Sequence, residues 1–177
     1  MSIFAVVAAP RSRTAWLSVF LSHGRDSICQ HDMLRKGPPE AWQRILRDGY
    51  HQHHGFTDTA AGNMEHELHT TGLLDGPVLV VRRPRFEIVD SLERAGISTA
   101  KLGPMLDEAE AGLDRIARRR NALVVSHDSI SRRLPEIWQH CLPMLPFDSV
   151  RASELDRLNI QASRDRFLDG LWPGWKE

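Results

Sequence analysis

Cysteine is scarce in this chain: Cys29 and Cys141 are the two among 177 residues. That is too few for a disulfide framework, and both read as reduced thiols in a cytoplasm. Charge of one sign is also missing, because 23 Lys and Arg balance 23 Asp and Glu. No global field therefore points to nucleic acid or an anionic membrane as a partner, and any basic site must be local. No apolar run approaches the roughly 20 residues that span a bilayer. The apolar start, Met1 to Ala9, lacks a basic leader and soon meets Pro10 and Arg11, so it reads as a buried strand rather than an export signal. The pattern Gly-x-x-x-x-Gly-Lys-Ser/Thr is absent, which disfavours tightly held ATP with magnesium. Repeats, low-complexity stretches and linkers are absent too, and the length suits one domain, 1–177.

What is present is a set of short, continuous apolar runs at 3–8, 77–81 and 122–125. Continuity rather than alternation is what burial on both faces of a parallel sheet demands. Each run leads through a polar turn into a helical pattern. The first helix, 14–22, carries Trp16, Leu17, Phe20 and Leu21, with Gly24 just beyond its end. The second follows Pro84, with a stripe of Phe86, Ile88, Val89 and Leu92 up to Gly96. The third spans 129–140 through Ile130, Leu134, Ile137 and Trp138, with Pro135 kinking it or delaying its start.

Further helices are expected at 38–49, with Trp42, Ile45 and Leu46 on one face, and at 104–120, where Met105, Leu106, Ala109, Leu113, Ile116 and Ala117 keep the 3.6 period. Weak strands are expected at 27–31 and 55–59. Strands alternating with helices give an α/β fold, a three-layer α/β/α sandwich on a mainly parallel sheet, with ligands at the carboxyl ends of the strands.

Two segments carry chemistry. In the first, Pro10-Arg11-Ser12-Arg13-Thr14-Ala15-Trp16 joins the first strand to its helix. Amides at a helix N-terminus, aided by the helix dipole, make an anion site, and the Ser12 and Thr14 hydroxyls and the Arg11 guanidinium add donors. The plainer alternative is that Thr14 caps the helix and both arginines are solvated. In the second, Arg82-Arg83-Pro84-Arg85 ends the next long strand, and Ser91 lies two helical turns on.

These two segments resemble the sulfotransferases that use 3′-phosphoadenosine 5′-phosphosulfate (PAPS). Their 5′-phosphosulfate loop reads Pro-Lys/Arg-Ser-Gly-Thr-x-Trp/Leu, which Pro10, Arg11, Ser12, Thr14 and Trp16 match. Arg13 stands where the family has glycine, so a left-handed backbone there would be strained, or the turn altered. The family's 3′-phosphate site is similar to Arg-x-Pro-Lys/Arg-Asp-x-x-x-Ser. Arg83 keeps the eight-residue separation from Ser91, whereas the proline register selects Arg82, so both arginines stay open.

The resemblance implies a P-loop-like sulfotransferase fold and PAPS as the cofactor, with no metal required. It further implies Arg11 on the transferring group, Ser12 and Thr14 on the 5′-phosphate, and Arg82 or Arg83 with Ser91 on the 3′-phosphate, Arg13, Ala15 and Trp16 completing the loop. The base is assigned to His31 and Asp32, ahead of Asp58. More loosely, Ser126-His127-Asp128 is similar to the family's Tyr-Glu-Asp turn, and Pro146-Phe147-Asp148 with a following helix to its late helical segment.

The partners implied are a small-molecule nucleotide and an unidentified hydroxyl or amine acceptor. A binding or assembly protein of the same fold without turnover is the alternative. The histidines at 51, 53, 54, 66 and 69 read as a polar loop on the substrate side rather than a metal site, lacking His-Glu-x-x-His and Cys-x-x-Cys. Leu171-Trp172-Pro173-Gly174-Trp175 is a candidate to cover an apolar patch or to contact another chain, a second copy in a homo-oligomer included.

Overall fold

In the computed structural model, residues 2–24, 26–49, 51–99 and 102–158 are described. The Trp-rich segment 171–175 lies outside them. Five strands form one parallel sheet: β1 (Ser2–Ala8), β2 (Ser27–His31), β3 (His53–Asp58), β4 (Val78–Arg82) and β5 (Ala122–Ser126), in the order β2-β3-β1-β4-β5. The chain leaves the central β1 for one edge, returns through β3, then crosses to the other side through β4. β1 and β4 therefore flank the switch point where α/β sheets hold ligands.

Alternation along the inner strands sorts the side chains into two cores, one on each face of the sheet. Phe4, Val6 and Ala8 of β1 and Leu79 and Val81 of β4 pack against α1 (Thr14–Ser22), α6 (Leu134–Cys141) and α7 (Ser149–Asp156). Ala5 and Val7 of β1 and Val78 and Val80 of β4 face the other layer: α2 (Pro39–Asp48), α3 (Glu65–Thr70), α4 (Arg85–Arg94) and α5 (Gly103–Ala117). The result is the three-layer α/β/α sandwich that the apolar runs imply. Each fully buried Leu or Phe on these faces stabilises the fold by about 1.5–3 kcal/mol.

Close backbone approach fixes the seat of α5. A methyl on Gly112 would come within 1.9 Å of the Gly62 carbonyl oxygen, and one on Gly62 within 2.2 Å of that of Ala109. Only hydrogen fits at this crossing. Asn63, next to Gly62, adds a hydrogen bond to the Met105 carbonyl at 3.0 Å.

Several expectations need correction. The helix expected over 129–140 is two pieces, a 3-10 turn at His127–Arg132 and then α6, because Pro135 fits only the first turn of the second piece. His53 and His54 are buried in β3 rather than in a loop, and Glu65–Thr70 is a short helix. Phe86 is 73% exposed, so it does not belong to the buried stripe of α4, and Ile45 and Met105 likewise point outward. Val124 is exposed because β5 is an edge strand covered on one side. Among the described residues no helix is long and apolar enough to cross a membrane.

Candidate anion-binding site

The turn after β1 has alternating backbone handedness. Arg11 has φ 65° and Arg13 has φ 60°, both left-handed, while Ser12 between them does not. Such alternation turns successive N–H groups toward one concave side, which is the geometry of an anion nest. It opens directly into α1, whose first amides have no helical partner. Left-handed conformation costs a residue with a side chain on the order of 1–2 kcal/mol, so the turn holds two strained positions. Arg13 occupies the left-handed conformation that glycine adopts freely, and it is also the N-cap of α1. Thr14 is thus the first helical residue and not the cap.

Ser12 is fully buried, and its Oγ has no hydrogen-bond partner. A hydroxyl in that state costs about 1–3 kcal/mol, which a bound oxyanion would recover. Arg11 is exposed and makes no ion pair among the described residues. Its Nε donates to Ser91 Oγ at 3.1 Å. Arg83 reaches back from the end of β4, donating from Nη1 to the Arg11 carbonyl and from Nε to Glu87 Oε2 at 3.2 Å.

Their partners separate the two arginines left open by the sequence. Arg82 continues the face of Val78 and Val80 and pairs with Asp114 of α5. Arg83, just beyond the end of β4, bonds instead to the Arg11 carbonyl. The loop, Arg83 and Ser91 form one hydrogen-bonded group at the switch point, whereas Arg82 is engaged by Asp114 of α5.

On the far side of the loop, the Thr14 hydroxyl lies 3.2 Å from His31 Nε2, and that nitrogen lies 3.4 Å from Asp32 Oδ1. β2 ends level with β3, since His31 pairs in register with Thr57 and the Asp32 amide donates to the Thr57 carbonyl at 2.9 Å. Asp58 is 1% exposed, and burial pushes its carboxyl above the usual range. Its two oxygens accept from the Leu34 and Ala60 amides at 2.7 and 2.8 Å, so it ties the strand end to the following turns. Of the loop's last members, Ala15 is half-buried, and Trp16 is buried with its indole N–H on the Leu155 carbonyl at 2.8 Å.

The fold has a structural counterpart. A mouse sulfotransferase, SULT7A1, in a crystal structure complexed with PAP, superposes with a TM-score of 0.60 at 12% sequence identity. The match covers 88% of this chain but 63% of that one, so the chain spans less than two thirds of its length. At such identity the likeness is one of fold. No family model matches the sequence, and no curated protein does.

His127, just after β5, was passed over as a site residue by sequence reasoning, and it feels the charges of this cluster. Burial lowers its pKa first, and the charges of Arg83 and then Arg13 lower it further. It therefore stands within the field of both arginines. The one sequence signal available was its place in the Ser126-His127-Asp128 turn after a strand. Among the described residues no group of three His, Cys, Asp or Glu side chains could hold a metal ion.

Proposed function

We propose that this chain is a sulfotransferase, moving a sulfuryl group from PAPS to a hydroxyl or amine acceptor. The observation that supports the reading most is the link from Arg83 to the Arg11 carbonyl and from Arg11 to Ser91, which brings together the two segments proposed to hold the two phosphates. A doubly phosphorylated adenosine needs one set for each end. The likeness in fold to a sulfotransferase complexed with PAP supports the same reading.

The residues fit such a nucleotide. The buried Ser12 hydroxyl and the nest amides suit its 5′-phosphate, and Arg83 with Ser91 suits its 3′-phosphate. Bound there, PAPS would supply the sulfuryl group. Arg11, exposed and uncommitted to a carboxylate, would stabilise charge on the oxygens around the transferring sulfur. His31 would take the acceptor's proton, and Asp32 would steady the imidazolium that forms. Such a displacement rests on positioning and charge stabilisation and assigns no role to a metal.

Calorimetry with adenosine 3′,5′-bisphosphate, ATP and AMP tests the binding claim. The bisphosphate should bind at least about tenfold more tightly than either, a margin of about 1.4 kcal/mol. Equal affinity for all three would overturn the reading. Transfer of labelled sulfate from PAPS to a panel of hydroxyl and amine acceptors then separates a catalyst from a protein that binds without turnover.

A further inference from the structure

Arg13 is held by a helix more than a hundred residues away. Its Nη2 donates to Asp156 Oδ1 at 3.0 Å and its Nη1 to Ser131 Oγ at 3.0 Å, while Ser131 Oγ donates to the same Asp156 oxygen at 2.8 Å. The three groups close a ring of hydrogen bonds. The guanidinium also lies 4.4 Å above the Trp16 ring, and Trp16 is itself pinned to α7 through the Leu155 carbonyl. α7 therefore grips both ends of the turn that opens α1.

The grip acts where the backbone is strained. Arg13 is left-handed without the freedom of glycine, and nothing in its own side chain favours that conformation. An anchor that fixes the side chain's far end restricts the backbone conformations the residue can reach. The Arg13 carbonyl, which accepts from the Leu17 amide at 2.9 Å, closes the first turn of α1 only while that backbone holds.

We propose that Asp156 is a positioning residue for the anion loop: by holding the Arg13 side chain it keeps Arg13 left-handed and so keeps the loop amides aimed at one point. As a statement about nucleotide affinity this rests on the sulfotransferase reading above; as a statement about loop conformation it does not. Asp156 is negative, and its use is to neutralise and orient an arginine that glycine would make unnecessary.

The test is a cycle of Asp156→Asn, Arg13→Gly and the double variant, since glycine adopts the left-handed conformation with no anchor. Asp156→Asn keeps the volume and one acceptor, so it is the variant expected to fold; Asp156→Ala is its more severe companion. In the wild-type background, Asp156→Asn should weaken adenosine 3′,5′-bisphosphate binding by about fivefold to tenfold. In the Arg13→Gly background the same change should alter affinity by less than about twofold.

A readout free of nucleotide accompanies it: hydrogen exchange at the Leu17 amide. Asp156→Asn should accelerate that exchange in the wild-type background and leave it unchanged once Arg13→Gly is present. An equal effect of Asp156→Asn in both backgrounds, on affinity or on exchange, would overturn the proposal, as would no effect in either. If the wild type binds no bisphosphate, the sulfotransferase reading fails, and the Leu17 exchange still decides the role of Asp156.

Discussion

Arg11 Nε and Ser91 Oγ, 80 positions apart in the chain, are joined by a hydrogen bond of 3.1 Å. The bond exists because β1 and β4 are neighbours in register, Ala8 beside Val81, so the turn after one strand meets the helix after the other. Arg83 completes the contact through the Arg11 carbonyl, whereas Arg82 is spent on Asp114. Arg83→Ala should therefore weaken bisphosphate binding by about tenfold to a hundredfold, the worth of a charge-assisted hydrogen bond to phosphate. Arg82→Ala should cost less than about threefold. Titration calorimetry on both variants decides it, and the reverse ranking would favour Arg82 over Arg83 as the proposed 3′-phosphate ligand.

The Ser12 hydroxyl predicts opposite effects on stability and on binding. Buried without a partner, it penalises the ligand-free fold, so Ser12→Ala should leave urea stability unchanged or raise it by up to about 1 kcal/mol. The same change removes a donor from the nest and should weaken the bisphosphate by about tenfold. Loss of stability together with unchanged affinity would mean that the hydroxyl serves the fold and not a ligand.

The sequence made much of this legible, and the reasons for its silences are physical. Continuous apolar runs marked β1, β4 and β5 because a parallel sheet buries both faces, and even the weak run at Ser27–His31 is a strand. α3 left no trace, since Leu68 alone among its six residues is buried and one contact has no period. The choice between Arg82 and Arg83 could not be read from spacing, because it turns on partners distant in the chain, Asp114 for Arg82 and the Arg11 carbonyl for Arg83. Asp156 was invisible as a member of the site for a related reason: it reaches Arg13 only through packing that brings distant segments together.

Gly112→Ala should destabilise the protein by about 3 kcal/mol, since the added methyl would meet a backbone carbonyl that cannot step aside. Urea unfolding of the single variant measures it. A cost under about 1 kcal/mol would show that α5 can shift on the Gly62 turn.

Stability should also fall with acid. Burial lowers the pKa of His23, whose ring packs 4.4 Å from Trp138, and that of His54. Each folded value lies below the unfolded one of about 6.5, so as pH drops through that value the unfolded chain binds more protons and gains on the fold. The contribution is fully present above about pH 7 and is lost as pH falls toward the folded values. Urea midpoints at pH 7.5 and 5.5 should show this slope, and His23→Phe, which keeps the ring stack without a titrating group, should make it shallower. An unchanged slope would assign the effect elsewhere.

His127 offers a proton-linked signature of the site itself. In the ligand-free protein burial, then Arg83 and Arg13, favour its neutral form, against the smaller pull of Glu87 and Asp128. A phosphate settling among those arginines would cancel part of their field and raise the imidazole pKa, so binding must take up a proton wherever His127 is neutral before and charged after. Affinity for the bisphosphate should consequently increase as pH falls from 7.5 to 6, opposite in direction to the loss of stability over the same range. Calorimetry near pH 6.5 in two buffers of different ionisation enthalpy reads the uptake directly, and His127→Gln should abolish most of it. Binding that releases protons, or uptake that survives His127→Gln intact, would place the anion away from the Arg83 and Arg13 charges and so away from the loop after β1.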